Sequence, residues 1–469
     1  MTRSSAALPA PASLNHQQKA VWNAAVNGGE NVFITGGAGV GKSFLAKEIV
    51  SALEETGKDV MVCAPTGCAA LVVGGATIHR AFGIKTGPAI EKVLPRHLPD
   101  GLRDGAVDAV VVDEVSMVRR DLLDAVAQAI LLSSAIRSGN LGKPPVQLIL
   151  VGDFAQLSPV LKRGDSEEGI LFSHYGIGST EGLFAFQSEY WDRLGLKTCE
   201  LTEVVRQGDA GFSAALNAVR RGEWQGVDWI FRRQSKDPVD AVYLYGRKAD
   251  VARENELQAI VSGESRCYDA NVRGSAKTIA AFDKKRDYPT DRSLNLSVGA
   301  KVMFVSNDPK ERWSNGTVGT VRGFKQKSTG KGKSRWEGAR VFPVVELDGG
   351  MLVLVEPKTW EMVEYKADTS IDRETGEISS RLVENVVLSF TQIPLRLAYA
   401  MTIHKSQGAT LSAANIDPDV WAAGQLYVAL SRVSAVENIH FVKPPRRRNL
   451  RCSDAVKAFY GWEGGDGKG

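Results

Sequence analysis

A chain of 469 residues, 43% hydrophobic and 24% charged, is too long for one ordinary core and reads as a globular protein of two to four domains. No apolar run approaches a membrane span, and the loose N-terminus Met1–Ala10 lacks the apolar core of a secretory signal. Five scattered cysteines form neither a disulfide framework nor a close metal-ligand pair, so a reducing cytoplasm is expected; a net charge of +4 permits a nucleic-acid partner without demanding one.

Leu14 to Asn27 has a helical pattern containing Gln17, Gln18 and Trp22. A short apolar strand then runs into Gly36-Gly37-Ala38-Gly39-Val40-Gly41-Lys42-Ser43, which opens an amphipathic helix through residue 56. That spacing is a phosphate-binding loop: glycines let successive N–H groups converge on an anion, and the helix adds its positive dipole end. Lys42 is placed to reach the β- and γ-phosphates, and the Ser43 hydroxyl to hold magnesium. A second strand over 59–63 ends at Ala64-Pro65-Thr66-Gly67, and Gly74 to His79 turns into another helix. Residues 85–106, rich in Pro, Gly and charge, look like a small excursion.

The β-branched run Asp108 to Val112 ends in Asp113-Glu114. Following a phosphate loop, the first carboxylate suits the magnesium shell and the second can accept a proton from attacking water. A helix over 119–135 and a strand over 147–151 follow, ended by Gly152-Asp153, with Gln156 placed to bond the γ-phosphate or the water. Strands alternating with helices predict a parallel α/β sheet with its site along the carboxyl edge. The glycine-rich stretch 161–183 is expected to be a long loop. Alternation resumes with a strand at 196–201, a helix at 211–221, a strand at 241–244 and a helix at 248–258. Between 294 and 385, short β-rich runs split by Gly, Lys and Asn turns suggest an inserted antiparallel barrel, with Lys325 to Arg335 as a basic hairpin tip. After α/β character returns, Lys443-Pro444-Pro445-Arg446-Arg447-Arg448 leads as a basic linker to a last short helix.

Arg206, after Glu203-Val204-Val205, and Arg432, in Tyr427-Val428-Ala429-Leu430-Ser431-Arg432, offer planar permanent charges suited to a γ-phosphate. The donor-rich Thr402-Ile403-His404-Lys405-Ser406-Gln407-Gly408 reads either as a polar helix end or as a grip on sugar-phosphate oxygens. Thr66, Thr77, His79 and Phe82 supply hydroxyls, an imidazole and a ring that suit single-stranded backbone and base stacking. Each of these taken singly is more often structural.

Together these residues resemble superfamily-one helicases of the RecD-like branch, most closely the petite-integration-frequency (PIF) family. Leu14-Asn15-His16-Gln17-Gln18 is similar to its adenine-reading motif, with Gln18 at the matching position. Gly36–Ser43, Ala64–Ala70, Thr77–Phe82, Asp113-Glu114, Gly152–Val160, Arg206, Thr402–Leu411 and Tyr427–Val433 follow the family's motif order, over residues 14 to 442. The resemblance implies ATP and Mg2+ as cofactors. It also implies nucleotide contacts from Gln18, Gly37 to Ser43 and Gly408, and DNA contacts from Pro65, Thr66, Thr77, His79, Phe82, His404, Lys405 and Ser406.

The implied fold is α/β, with two RecA-like parallel-sheet domains and ATP in the cleft between them. The first (14–190) carries a small wedge insertion at about 80–107, and the second (191–293 and 386–442) an inserted SH3-like β-barrel (294–385). A flexible tail (1–13) and a basic linker with C-terminal tail (443–469) flank them. The implied activity is 5′-to-3′ translocation on single-stranded DNA by a monomer, with unwinding of 5′-tailed or forked duplexes; some relatives also unfold G-quadruplexes. The expected setting is the cytoplasm of a bacterium or phage host, at the nucleoid. The alternatives are a translocase that walks without unwinding, its wedge being short, and a DNA-binding accessory with a vestigial ATPase. The sequence departs from the family at Leu157-Ser158-Pro159, where Leu-Pro-Pro is usual, and shows no long N-terminal extension.

Overall fold

The computed structural model describes residues 7–462 except 86, 160, 162–165, 204–208, 259–263, 286–287, 314, 327–340, 348–349 and 372–377. The chain forms two compact units: Met1–Val205 with Met362–Val387 and Ser453–Gly469, and Arg206–Glu361 with Leu388–Cys452.

In the first unit, α1 (His16–Val26) leads to β1 (Val32–Gly36), α2 (Lys42–Glu55), β2 (Val60–Ala64), α3 (Gly67–Val73), β3 (Ala76–Thr77) and α4 (Ile78–Ala81). Then come α5 (Asp100–Arg103), β4 (Ala109–Val112), α6 (Arg120–Asn140), β5 (Gln147–Val151), α7 (Ser166–Tyr175) and β6 (Lys197–Leu201). All six strands are parallel, in the order β3-β2-β4-β5-β1-β6. Strands β1, β4 and β5 are buried at every position, which is why they read as unbroken apolar runs and not as alternating ones. Because β4, β5 and β1 are adjacent and parallel, the segments that follow them open on the same edge.

One buried guanidinium fixes the entry to β4. Arg137 of α6 donates through Nη1 to the carbonyls of Gly105 (2.6 Å) and Val107 (2.7 Å), through Nε to Pro144 (2.8 Å) and through Nη2 to Asp108 (2.5 Å). The segment expected as a wedge insertion, about 80–107, lies along α6, with Ala89 N donating to Asp121 and Val93 N to Gln128. Its Leu98, Leu102 and Val107 sink into the unit's core.

The second unit contains α8 (Ala210–Arg220), α9 (Trp224–Arg233), β7 (Val242–Tyr245), α10 (Lys248–Gln258), β8 (Ser265–Asp269), β9 (Asn271–Gly274) and α11 (Ala276–Lys285). Strands β10 (Ser293–Ser297), β11 (Lys301–Phe304), β12 (Val318–Gln326), β13 (Val341–Leu347), β14 (Leu352–Leu354), β15 (Lys358–Ile371) and β16 (Ile378–Gln392) follow, the last two running on into the first unit. The unit ends with β17 (Leu395–Leu397), β18 (Ala400–Thr402), β19 (Ala414–Ile416), α12 (Gln425–Leu430) and β20 (Ile439–Phe441). A parallel sheet, β18-β7-β19-β20, is accompanied by an antiparallel one, β14-β13-β12-β11-β17, where the sequence suggests a barrel.

Four expectations are corrected. The stretch 161–183 contains a ten-residue helix, α7, in place of a plain loop. The first unit extends through β6 and beyond residue 190, because β6 pairs with β1. The β-rich region 294–385 is divided, since Met362–Val387 belongs to the first unit, where the Tyr365 hydroxyl donates to Val62 O and accepts from Val62 N. Finally, the expected last short helix is present as α13 (Asp454–Tyr460), but it is no part of a tail, because it packs Val456 and Phe459 into the first unit's core.

Replacing Arg137 by Met takes the guanidinium from the carbonyls of Gly105, Val107 and Pro144 and from the Asp108 carboxylate, so a loss of about 3 kcal/mol is expected in urea unfolding; a loss below about 1 kcal/mol would show that the cluster does not organise β4. In the second unit, Arg312 grips Asp308 through Nε (2.6 Å) and Nη2 (2.9 Å), which holds the Asp308 carboxyl down at about 2. The folded state therefore binds this proton less tightly than the unfolded chain, and the pair's stabilisation is full above about pH 4 and lost as pH falls toward 2. Wild type should exceed Asp308→Asn in stability at neutral pH, with the gap closing between pH 4 and 2; a gap independent of pH would refute the pairing.

Candidate nucleotide site

The turn out of β1 is a backbone that only glycine tolerates. Gly36, Gly39 and Gly41 have φ of 136°, 82° and 82°. A Cβ on Gly36 would sit 2.2 Å from the carbonyl oxygen of Leu201, and one on Gly41 would sit 2.6 Å from Gln18 Nε2. Val40 is buried and pins the loop to the core, while Gly41 caps α2 in the left-handed region and leaves the N–H groups of its first turn without a side-chain cap. Lys42 Nζ donates to the carbonyls of Gly36 and Gly37, each at 2.9 Å, so the ammonium lies over the loop. Ser43 is exposed beside it.

Gln18 is 3% exposed and braces this loop. Its Nε2 donates to Val40 O at 3.2 Å, its Oε1 accepts from Asn15 N at 3.1 Å, and its own N–H donates to Asn15 Oδ1 at 2.8 Å. The same residues that cap α1 thus hold the phosphate loop in place.

At the end of β4, the Asp113 N–H donates to Cys63 O at 3.0 Å and its Oδ1 accepts from Glu114 N at 2.8 Å. Burial pushes the Asp113 carboxyl above the ordinary range, opposed by the Glu114 N–H and by the charges of Lys42 and Lys47. Glu114 has φ 53° and ψ 44°, a left-handed conformation shared among described non-glycine residues only by Glu311. Such strain is held in place by its surroundings, here by the tight approach of Gly152, where a Cβ would lie 2.9 Å from Val115 Cγ1. At the end of β5, Asp153 and Gln156 are 1% and 8% exposed, and Gln156 N donates to Asp153 O at 2.9 Å.

Tyr460 is not among the residues expected at the site. Its hydroxyl lies 2.7 Å from Thr35 Oγ1 on β1 and accepts from Phe154 N at 3.2 Å, tying the strand that feeds the phosphate loop to the turn that carries Gln156. The signal for it is the apolar spacing of Val456, Phe459 and Tyr460 in the expected last short helix.

A hydroxyl and a carboxylate, Ser43 and Asp113, form an oxygen donor set of the kind magnesium takes when phosphates complete its shell. The glycine cradle and Lys42 match a triphosphate. The residues present therefore fit both groups.

Of the predicted DNA contacts, Pro65, Thr66, Thr77 and His79 are half-buried around the ends of β2 and β3. Thr66 and Thr77 accept from Ala69 N (3.2 Å) and Arg80 N (3.4 Å) as helix caps. Phe82 is a correction: it is 3% exposed within the first unit's core and offers no face to a base. In the second unit, Lys405 and Gly408 are exposed and His404 is half-buried, its imidazole held below the ordinary value by burial and the Lys248 charge. Ser406 is the other correction, fully buried with its hydroxyl donating to Ile403 O at 2.8 Å. Arg432 is also buried and donates to Val428 O (2.8 Å), Ala409 O (3.3 Å) and Ser431 Oγ (2.9 Å). Arg206 lies outside the described residues.

A parallel sheet with a glycine loop after β1 and an acidic pair after β4 defines a RecA-like P-loop fold. The family model for PIF1-like helicases matches residues 13–227. The ATP-dependent DNA helicase Pif1 of Bdellovibrio bacteriovorus is 32% identical over 426 residues, covering 88% of this chain and 84% of that protein. The chain belongs to the PIF1-like helicase family. The human ATP-dependent DNA helicase PIF1 is 33% identical over 95% of this chain, which spans 63% of that relative's length. Bacteroides sp Pif1 in complex with ADP-AlF4 superposes with a TM-score of 0.76 at 28% identity, covering 96% of this chain and 97% of that one. Bacteroides Pif1 bound to ssDNA has a TM-score of 0.58 at 28% identity, covering 96% and 97%.

Gly36→Ala must displace the Leu201 carbonyl and adopt a disfavoured φ, so a destabilisation of about 2–4 kcal/mol is expected in chemical denaturation. A change below about 0.5 kcal/mol would mean that the loop is free to rearrange.

Proposed function

We propose that this protein is an ATP-hydrolysing DNA helicase that moves 5′ to 3′ on single-stranded DNA and separates 5′-tailed or forked duplexes. The observation that carries this reading is the meeting, on one sheet edge, of the glycine loop after β1, Asp113-Glu114 after β4 and Gln156 after β5. Family membership supports the DNA-directed part, as do related Pif1 structures concerned with forked duplex DNA and bound to single-stranded DNA.

In this reading the N–H groups from Gly37 to Ser43 bind phosphate oxygens, and Lys42 swings from the Gly36 and Gly37 carbonyls onto the β- and γ-phosphates. Gln18 reads adenine with the amide hydrogen left over from its bond to Val40, and Gly408 lies at the nucleotide. Ser43 and Asp113 are the protein ligands of magnesium, which supplies Lewis-acid charge on the phosphates when bound. Glu114 orients water and takes its proton, and Gln156 senses the γ-phosphate. Arg206 and Arg432 stabilise charge that develops on the transferred phosphoryl group. Pro65, Thr66, Thr77, His79, His404 and Lys405 contact the DNA backbone. G-quadruplexes are a further substrate to test, the monomer is the working species, and the host cytoplasm is the site of action.

The wild-type ATPase should rise on addition of single-stranded DNA, and Glu114→Gln should cut turnover by about 100-fold or more while leaving DNA binding intact. Unwinding should be seen with a 5′-tailed duplex and not with a 3′-tailed one. Equal ATPase rates with and without DNA would defeat the coupling. Movement along a strand without release of its complement would leave a translocase instead.

A further inference from the structure

The basic stretch after residue 442 has no task at the nucleotide site, yet the second unit holds it firmly. It turns through a short 3-10 helix at Arg447–Asn449, whose buried Asn449 amide donates to Asp419 Oδ1 at 3.1 Å. The Arg451 carbonyl accepts from Gly424 N at 3.0 Å, and Arg451 Nη1 donates to Trp421 O at 3.4 Å. Lys443 Nζ spans Asp417 and Asp419 at 3.1 and 2.7 Å. Loop 417–424 and segment 443–451 are therefore one braced piece.

Its charge is lopsided. Five basic residues, Lys443, Arg446, Arg447, Arg448 and Arg451, stand against two acids, Asp417 and Asp419, which leaves three positive charges uncompensated. The four arginines are exposed, and among the described residues none makes an ion pair. An exposed aromatic ring sits in the same piece. Trp421 is 45% exposed, with its Nε1 satisfied by Gly246 O at 2.9 Å and its ring stacked on His404 at 5.9 Å and 21°. The polar atom and the supporting side of the indole are thus both fixed, and nearly half of its surface still faces water. A rigid ring beside exposed guanidinium groups is the combination that single-stranded nucleic acid uses, bases on the ring and phosphates on the cations.

We propose that this piece is a further contact for single-stranded DNA, with a base stacked on Trp421 and backbone phosphates held by Arg446, Arg447, Arg448 and Arg451. It rests on the DNA-directed reading above. A duplex would use the arginines and leave the indole idle, so the ring favours an unpaired strand.

The test is binding of a labelled oligothymidylate and of a blunt duplex to the full chain, by anisotropy between 50 and 200 mM salt. Trp421→Ala should weaken oligothymidylate binding about 5- to 100-fold, and Trp421→Phe should restore most of it. The triple change of Arg446, Arg447 and Arg448 to Ala should lower the logarithmic salt slope by about 2, since each phosphate contact on a single strand contributes about 0.7. Unchanged affinity and slope in both variants, in a protein whose wild type binds the oligonucleotide, would overturn the proposal. So would a loss confined to the arginine variant and equal for duplex and single strand. Failure of the wild type itself to bind would instead bring down the DNA-directed reading. The arginine side chains are exposed, so that variant keeps the test decisive even if Trp421→Ala does not fold.

Discussion

The nucleotide site depends on how closely β1 ends against β6. Gly36 pairs with Leu201 across a parallel register, and the Leu201 carbonyl occupies the space where any other residue would carry its Cβ. The chain can therefore leave the sheet at a φ closed to L side chains and curl back as a loop whose N–H groups converge. Gln18 repeats the device one turn later, filling the space that Gly41 leaves. The loop is shaped from outside, by a strand edge and by a helix cap, and from within by the Val40 anchor and the Lys42 ammonium on the Gly36 and Gly37 carbonyls.

That rigidity has an electrostatic counterpart. Asp113 is buried at the end of β4, where desolvation disfavours its charge and the Lys42 and Lys47 charges favour it. A carboxylate in such a place is costly unless neighbouring cations and hydrogen-bond donors compensate it. Next to it, Glu114 is held in a left-handed conformation by packing that requires glycine at position 152. Strain and desolvation are concentrated at two neighbouring residues, while the strands that carry them are wholly apolar. A stable sheet with an unfavourable edge is what a site poised for a charged ligand requires.

Much of this was legible because glycines and carboxylates were spaced as the chemistry demands. The loop 36–43, the pair 113–114 and strands β1, β2, β4 and β5 of the first sheet are visible as apolar runs ending in polar residues. Phe82 and Ser406 were misjudged because a sequence does not say which side of a short element faces in: Phe82 caps α4 within the core, and the Ser406 hydroxyl folds onto Ile403 O. Helix α7 escaped because glycines in its neighbourhood outweighed the pattern of Ile170, Leu171 and Phe172. The division of the β-rich region was hidden for a different reason. Contacts such as Tyr365 with Val62 join residues about 300 positions apart, and local periodicity carries no record of them.

Those distant contacts also govern how the first unit comes to be complete. Two phenols from late in the chain fasten its sheet: Tyr365 holds the β2 backbone at Val62, and Tyr460 bridges Thr35 and Phe154. Around Tyr460, Phe459 stacks on Phe186 at 4.4 Å and meets Phe33, Phe154 and Trp191 edge-on or tilted. Residues 14–190 alone would thus leave an aromatic cluster open directly beneath the strand that feeds the phosphate loop. Closing a loop of more than 400 residues costs entropy that the packing of this cluster must offset. The last helix is accordingly a fastener that both completes the core and ties the phosphate-loop strand to the turn bearing Gln156, so that intact packing and an intact site are the same condition.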